Sequence, residues 1–303
     1  MDAGAQGLLP GLGYLMSTRA PKTTGLHPVE IEAIRSALQT PKYELIPLKN
    51  VLDQSAFLPD GATVSVTASP QKGMMATIEL TIELKNRGFE AIPHLSARLT
   101  VDRSELEEIL SRLDQAGIRK AFVVGGDAED HGEFFDGLAL LTAMEEIGHG
   151  LTEIGVPGYP EGHHIVDVPT ITKALEDKLP FTSYITSQMC FLPDAISEWV
   201  RGLRESGIGL GVYVGIPGVA ELTKLISLSM RIGVGPSARF LSKNKSLAGR
   251  LVRPGGYSPD DLIIGLAPLL ADSVANIAGF HVYTFNRVES TEKWRREMLE
   301  SLD

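Results

Sequence analysis

Short apolar runs recur along most of this chain, each followed by a stretch whose apolar residues repeat at helical spacing. The runs occupy residues 43–48, 62–67, 90–96, 120–125, 151–156, 182–188, 210–216 and 278–284. They are near-continuous rather than strictly alternating, which is the pattern of a parallel strand covered on both faces. Asp102 to Ala116 is the clearest helix. Asp102 stands at the cap, Leu106, Ile109, Leu110 and Leu113 form one face, and Gly117 closes it. His27 to Thr40 carries Ile31, Ile34 and Leu38 at spacings of three and four, and Ser197 to Ser206 and Val219 to Ile232 behave similarly.

Eight strands alternating with helices over about 250 residues have the size and order of an α/β (β/α)8 TIM barrel. An open doubly wound sheet is the runner-up, because periodicity alone does not separate the two. The expected organisation is an N-terminal extension over residues 1–42, loose in its first part, and one barrel domain over 43–303. The segment 233–257 is rich in Gly, Ser, Lys and Arg and interrupts the alternation before the last strand. It reads as a loop or a short extra helix on one face.

Composition narrows the classes. With 43% hydrophobic and 22% charged residues, the 303-residue chain can bury a sizeable core. A net charge of -10 argues against a general nucleic-acid binder. One cysteine, Cys190, excludes an intrachain disulfide, fits a reducing cytoplasm and reads as a small buried hydrophobe. No apolar run approaches the roughly 18 residues of a membrane span, and the Gly-rich N-terminus lacks the features of a signal peptide. A cytoplasmic protein with neither nucleic-acid nor membrane partners is expected.

Candidate chemistry gathers at strand ends, where a barrel builds its active site. Thr67 ends the second strand, His94 lies near the end of the third, and Gly125-Gly126-Asp127 follows the fourth. Gln188 ends the sixth, and Tyr283, Asn286 and Arg287 follow the eighth. After the fifth, Gly158, Tyr159, Pro160, Glu161, Gly162, His163 and His164 form a rigid loop suited to a metal, a phosphate or a flat ring. No second ligand cluster accompanies its histidines, so no metal site is expected. No dinucleotide fingerprint, P-loop or nucleophile motif occurs. Met74-Met75 reads as packing, and the Lys243 to Arg253 basic run as a solvated face or an attractor for a polyanionic tail. Glu44 is the exception to the pattern. It interrupts an apolar strand, where apolar neighbours would favour its neutral form and make it a general acid; the plainer reading pairs it with Lys42 or Lys49.

Five segments in order resemble the methylenetetrahydrofolate reductase family: VSVTASP at 64–70, AIPHLS at 91–96, VVGGD at 123–127, IGVPGYPEGH at 154–163 and GFHVYTFNR at 279–287. The resemblance, over about residues 43–300, implies a (β/α)8 barrel that reduces 5,10-methylenetetrahydrofolate to 5-methyltetrahydrofolate, or runs in reverse, with NAD(P)H as electron source. It implies that Glu44 is the acid that opens the five-membered ring, with Asp127 near the pterin. Gln188, Tyr283 and Arg287 would bind the folate. Thr67, His94, Gly126, Gly158, Tyr159 and His163 would line the cofactor position. The family's arginine before Gly-Asp is Gly125 here, and the segment after His163 offers only Asp167 and Lys178 as loose matches to its nucleotide contacts. Two routes therefore stay open, relay through FAD and direct transfer from NAD(P)H. A related pterin oxidoreductase with another hydride donor and a non-catalytic folate-binding accessory barrel are the alternatives. Tetrahydrofolate is the expected partner, and a homo-oligomer stays open.

Overall fold

A computed structural model of the chain describes residues 25–163, 166–231, 252–253 and 256–303. The first 24 residues, His164 and most of the 233–257 insertion, with most of its basic run, lie outside the described residues.

Eight parallel strands close into a barrel. They are β1 (Lys42–Leu45), β2 (Thr63–Val66), β3 (Glu90–Ser96), β4 (Lys120–Val124), β5 (Glu153–Gly158), β6 (Tyr184–Ser187), β7 (Gly211–Pro217) and β10 (Ile277–Tyr283). β1 pairs with β10 on one side and β2 on the other, which closes the ring: Glu44 stands opposite Tyr283 and Ser65. The described part of the insertion is a small antiparallel pair, β8 (Val252–Arg253) with β9 (Gly256–Tyr257), not a helix. Tyr257 anchors it, donating its N–H to Ala220 O at 2.7 Å and burying its ring against Phe191.

The outer layer comprises α1 (Pro28–Gln39), α2 (Val51–Ser55), α3 (Gly73–Asn86), α4 (Arg103–Gln115), α5 (Gly137–Ile147), α6 (Val168–Lys178), α7 (Pro193–Glu205) and α8 (Leu222–Arg231). It is completed by α9 (Asp260–Gly265), α10 (Ala267–Ala271) and α11 (Val288–Glu300). α4 is capped by Asp102, whose carboxylate accepts from Glu105 N at 2.8 Å. α7 begins at Pro193, earlier than the apolar pattern indicates, because proline suits the first helical turn and needs no N–H there. Helix α1, within the N-terminal segment, packs into the main core through Ile34 and Leu38. Arg295 of α11 donates to Leu38 O at 2.9 Å and clasps Glu292, which also accepts from Tyr43.

Alternation along each strand divides the side chains into two sets. Tyr43 and Leu45, Val64 and Val66, Leu95, Val123, Val156, Val214, Phe280 and Val282 face the helices and join the main core. The other set fills the barrel in layers. Ile92, Phe122, Tyr184 and Tyr213 pack in the lower half. Above them the interior turns polar, with Glu44, Ser65, His94 and His281. The strands look continuously apolar in sequence because the helix-facing set is uniformly so, while the inward polar residues are few per strand.

Candidate active site

Four inward side chains from four neighbouring strands of the barrel meet in its upper half. Glu44 of β1 holds its Oε2 3.2 Å from Nε2 of His281 on β10, and its side chain is 14% exposed. Ser65 of β2 lies 2.6 Å from Nε2 of His94 on β3 through its Oγ. The expected apolar surroundings of Glu44 are absent: its neighbours are histidines and a serine. Neither lysine of the plainer reading pairs with it. Lys42, two residues back on the same face, instead lays its Nζ over the rings of Tyr184 and Tyr213 at 3.4 and 3.6 Å.

Burial dominates the electrostatics. It lowers the His94 imidazole to about 4; the charge of Glu44 opposes this and His281 adds to it. His94 is therefore neutral near pH 7. Burial likewise holds the Tyr283 phenol well above its ordinary range, helped by Glu44 and Tyr159. Tyr283 donates from its hydroxyl to Ser187 O at 3.1 Å, and its ring meets His281 edge-on with centroids 5.1 Å apart. Its inward position needs Gly215 opposite, where a Cβ would lie 2.8 Å from the ring.

The remaining candidates lie at or after the strand ends. Tyr159 and His163, in the loop after β5, meet edge-on at 5.1 Å and present ring surfaces at the mouth. Gln188 folds its side chain back to accept from Met189 N at 2.9 Å, and its own N–H donates to Gly158 O at 2.7 Å. Thr67 is tied by its backbone: its N–H donates to Leu45 O at 3.0 Å and its carbonyl accepts from Thr77 Oγ1 at 3.1 Å. Gly158 is a glycine for a packing reason, since a Cβ there would lie 2.3 Å from Trp199 of α7, on the helix side of the wall. Gly126 has φ +90, and a Cβ would meet Ser96 Oγ at 2.3 Å. Asp127 next to it is exposed. Arg287 pairs with Glu221 at 3.0 Å beside the start of α11.

Ser65, His281 and Arg98 were not among the sequence candidates. His281 is detectable in retrospect, since it sits two residues before Tyr283 on a strand and must share its face. Arg98 lies in the turn after β3 beside Gly126; its Nε and Ser96 Oγ are both buried without a hydrogen-bond partner among the described residues. Orphaned donors of this kind suit an acceptor-rich ligand group such as a phosphate. Among the described residues no cluster of three or more His, Cys, Asp or Glu is arranged to hold a metal ion. No helix among them is long and apolar enough to cross a membrane.

Among solved structures, the carboxyl transferase domain from Rhizobium etli pyruvate carboxylase with 3-bromopyruvate is similar at 10% identity and a TM-score of 0.44. That likeness covers 99% of this chain but 52% of the other, so this chain spans about half its length, and it carries nothing about function. A family model described as methylenetetrahydrofolate reductase matches residues 48–298.

Proposed function

The chain belongs to the methylenetetrahydrofolate reductase family, and from that premise we propose that it interconverts 5,10-methylenetetrahydrofolate and 5-methyltetrahydrofolate with NAD(P)H as the hydride source. The observation that carries this reading is Glu44, an inward carboxyl at the polar end of the barrel, held by His281. The family match begins at residue 48, so the role of Glu44 rests on its position rather than on the match.

In the reducing direction Glu44 gives its proton to N10 of the folate. The bond from the methylene carbon to N10 breaks, its electron pair stays on N10, and an N5 iminium remains. Hydride then adds to the methylene carbon and completes the methyl group. The side-chain amide N–H2 of Gln188 is left to donate to the folate, because its Oε1 is already committed to Met189 N. Tyr283 offers a ring face fixed by its bond to Ser187. Arg287 would exchange Glu221 for a substrate carboxylate, and Asp127 would approach the pterin from the rim.

The residues present fit a cofactor with a flat ring and anionic phosphates. Tyr159 and His163 supply ring surfaces, Thr67, Gly126 and His94 shape the wall between them and the acid, and Arg98 supplies the cation. FAD and NAD(P)H share that chemistry. A bound flavin would supply hydride relay between NAD(P)H and the folate; without one, the hydride passes directly. The visible absorption spectrum of the purified protein separates the two.

Purified protein should oxidise NADH with continuous turnover when methylenetetrahydrofolate is present. Glu44→Gln keeps the side chain's shape but removes the proton, and kcat should fall by at least about 100-fold. Near-normal turnover in that variant would show that the acid lies elsewhere.

A further inference from the structure

His281 contributes one interaction and one deficit. Its Nε2 lies 3.2 Å from Glu44 Oε2, and its Nδ1 is buried with no hydrogen-bond partner among the described residues. Two neutral tautomers and a cation are possible for an imidazole, and they differ in what they leave at Nδ1. A proton on Nδ1 would bury an N–H with nothing to accept it, which is among the costliest polar arrangements in a protein interior. A bare lone pair there costs less. With its proton on Nε2 the imidazole donates to Glu44 Oε2 and leaves only a lone pair at Nδ1. An oxygen that accepts from His281 is not the oxygen that carries the acid's own proton.

We propose that His281 is the positioning residue of Glu44: by donating to Oε2 it leaves Oε1 as the proton-bearing oxygen and turns that oxygen toward the substrate. When Oε1 releases its proton, the bond from His281 remains and becomes charge-assisted, so it is stronger in the product carboxylate than in the acid. Geometry of this kind is worth most when both partners are fixed. His281 is 2% exposed and wedged against the Tyr283 ring. The titratable groups facing the pair are His94 on β3, Tyr283 on β10 and Tyr159 beyond it. Nε2 of His94 is already taken by Ser65, and the Tyr283 hydroxyl by Ser187.

This inference rests on the reading of Glu44 as the acid, and two measurements keep their failures apart. The first is the pH profile of kcat/KM for His281→Phe, which keeps the ring volume without the donor, and for His281→Gln, whose amide N–H can replace Nε2–H. In His281→Phe, kcat should fall by about 10- to 100-fold. The alkaline limb of its profile should also move to higher pH, because the carboxylate has lost its donor. His281→Gln should restore both. Wild-type kcat and limb in His281→Phe, or equal losses in both variants with an unmoved limb, would overturn the positioning role while leaving the Glu44→Gln result to judge the acid. The second is 15N NMR of histidine-labelled protein, with the His281 signal identified by its loss in His281→Gln. It should show the Nε2–H tautomer at pH 7, whether or not the enzyme turns over. An Nδ1–H tautomer sinks the proposal outright.

Discussion

His94 shows how a buried site converts a titratable residue into a neutral one. Its ring is 7% exposed, packs 4.8 Å from Phe122 and bonds to Ser65. Burial brings its pKa to about 4, whereas in an unfolded chain it is near 6.5. As pH falls through that window the unfolded state binds the proton first, so stability present above pH 6.5 is lost, by up to roughly 3 kcal/mol. Denaturant melts of wild type and His94→Asn at pH 7 and 4.5 should show a smaller acid loss in the variant; equal losses would place the effect in other groups. Glu44 was legible from sequence because a carboxylate inside an apolar run is conspicuous among its immediate neighbours. His281 was not, because its significance lies in a contact with a residue 237 positions away.

Elements meet through choices that look local but are not. The Gly-Pro signals after Val156 correctly indicate a strand giving way to a rigid loop, yet β5 continues through Pro157 to Gly158. The absent side chain of Gly158 leaves room for Trp199 of α7, with Ile185 of β6 only 2.9 Å from where a Cβ would lie. Gly158→Ala should therefore destabilise the protein by about 1–3 kcal/mol through overpacking, with ligand affinity following stability. Combining it with Trp199→Leu should recover part of that loss. If the double variant is no better than the sum of the single ones, the strain lies elsewhere. The sequence marks Gly158 as a break in periodicity; which layer its missing side chain faces depends on how the helix docks.

At the scale of the whole molecule, the barrel separates a polar upper chamber from a floor built around Lys42. Its Nζ has no hydrogen-bond partner among the described residues and rests on two tyrosine faces, the residue being 5% exposed, while Lys120 below bridges Glu90 and Glu153. Burial lowers Lys42 to about 7; Glu153 and Glu90 oppose that and Lys120 reinforces it. The tyrosine faces favour the ammonium and also work against burial. Between pH 7 and the ordinary lysine range the unfolded chain holds the extra proton, so stability rises with pH, by at most about 2.7 kcal/mol over two pH units. Measured against Lys42→Met, wild type should gain stability from pH 7 to 9, and a constant difference would refute the assignment. The alternation of eight strands with helices, the Asp102 cap and the buried face of α4 were determined by the sequence alone. Each depends on residues two to four apart, whose spacing is fixed by backbone geometry. Only the tertiary structure decided that β1 closes onto β10 in a register that sets Glu44 beside His281, with Lys42 below on the rings of Tyr184 and Tyr213. That register depends on the closure of the whole ring, and a slip of one residue would send every inward side chain of β1 to the helix layer.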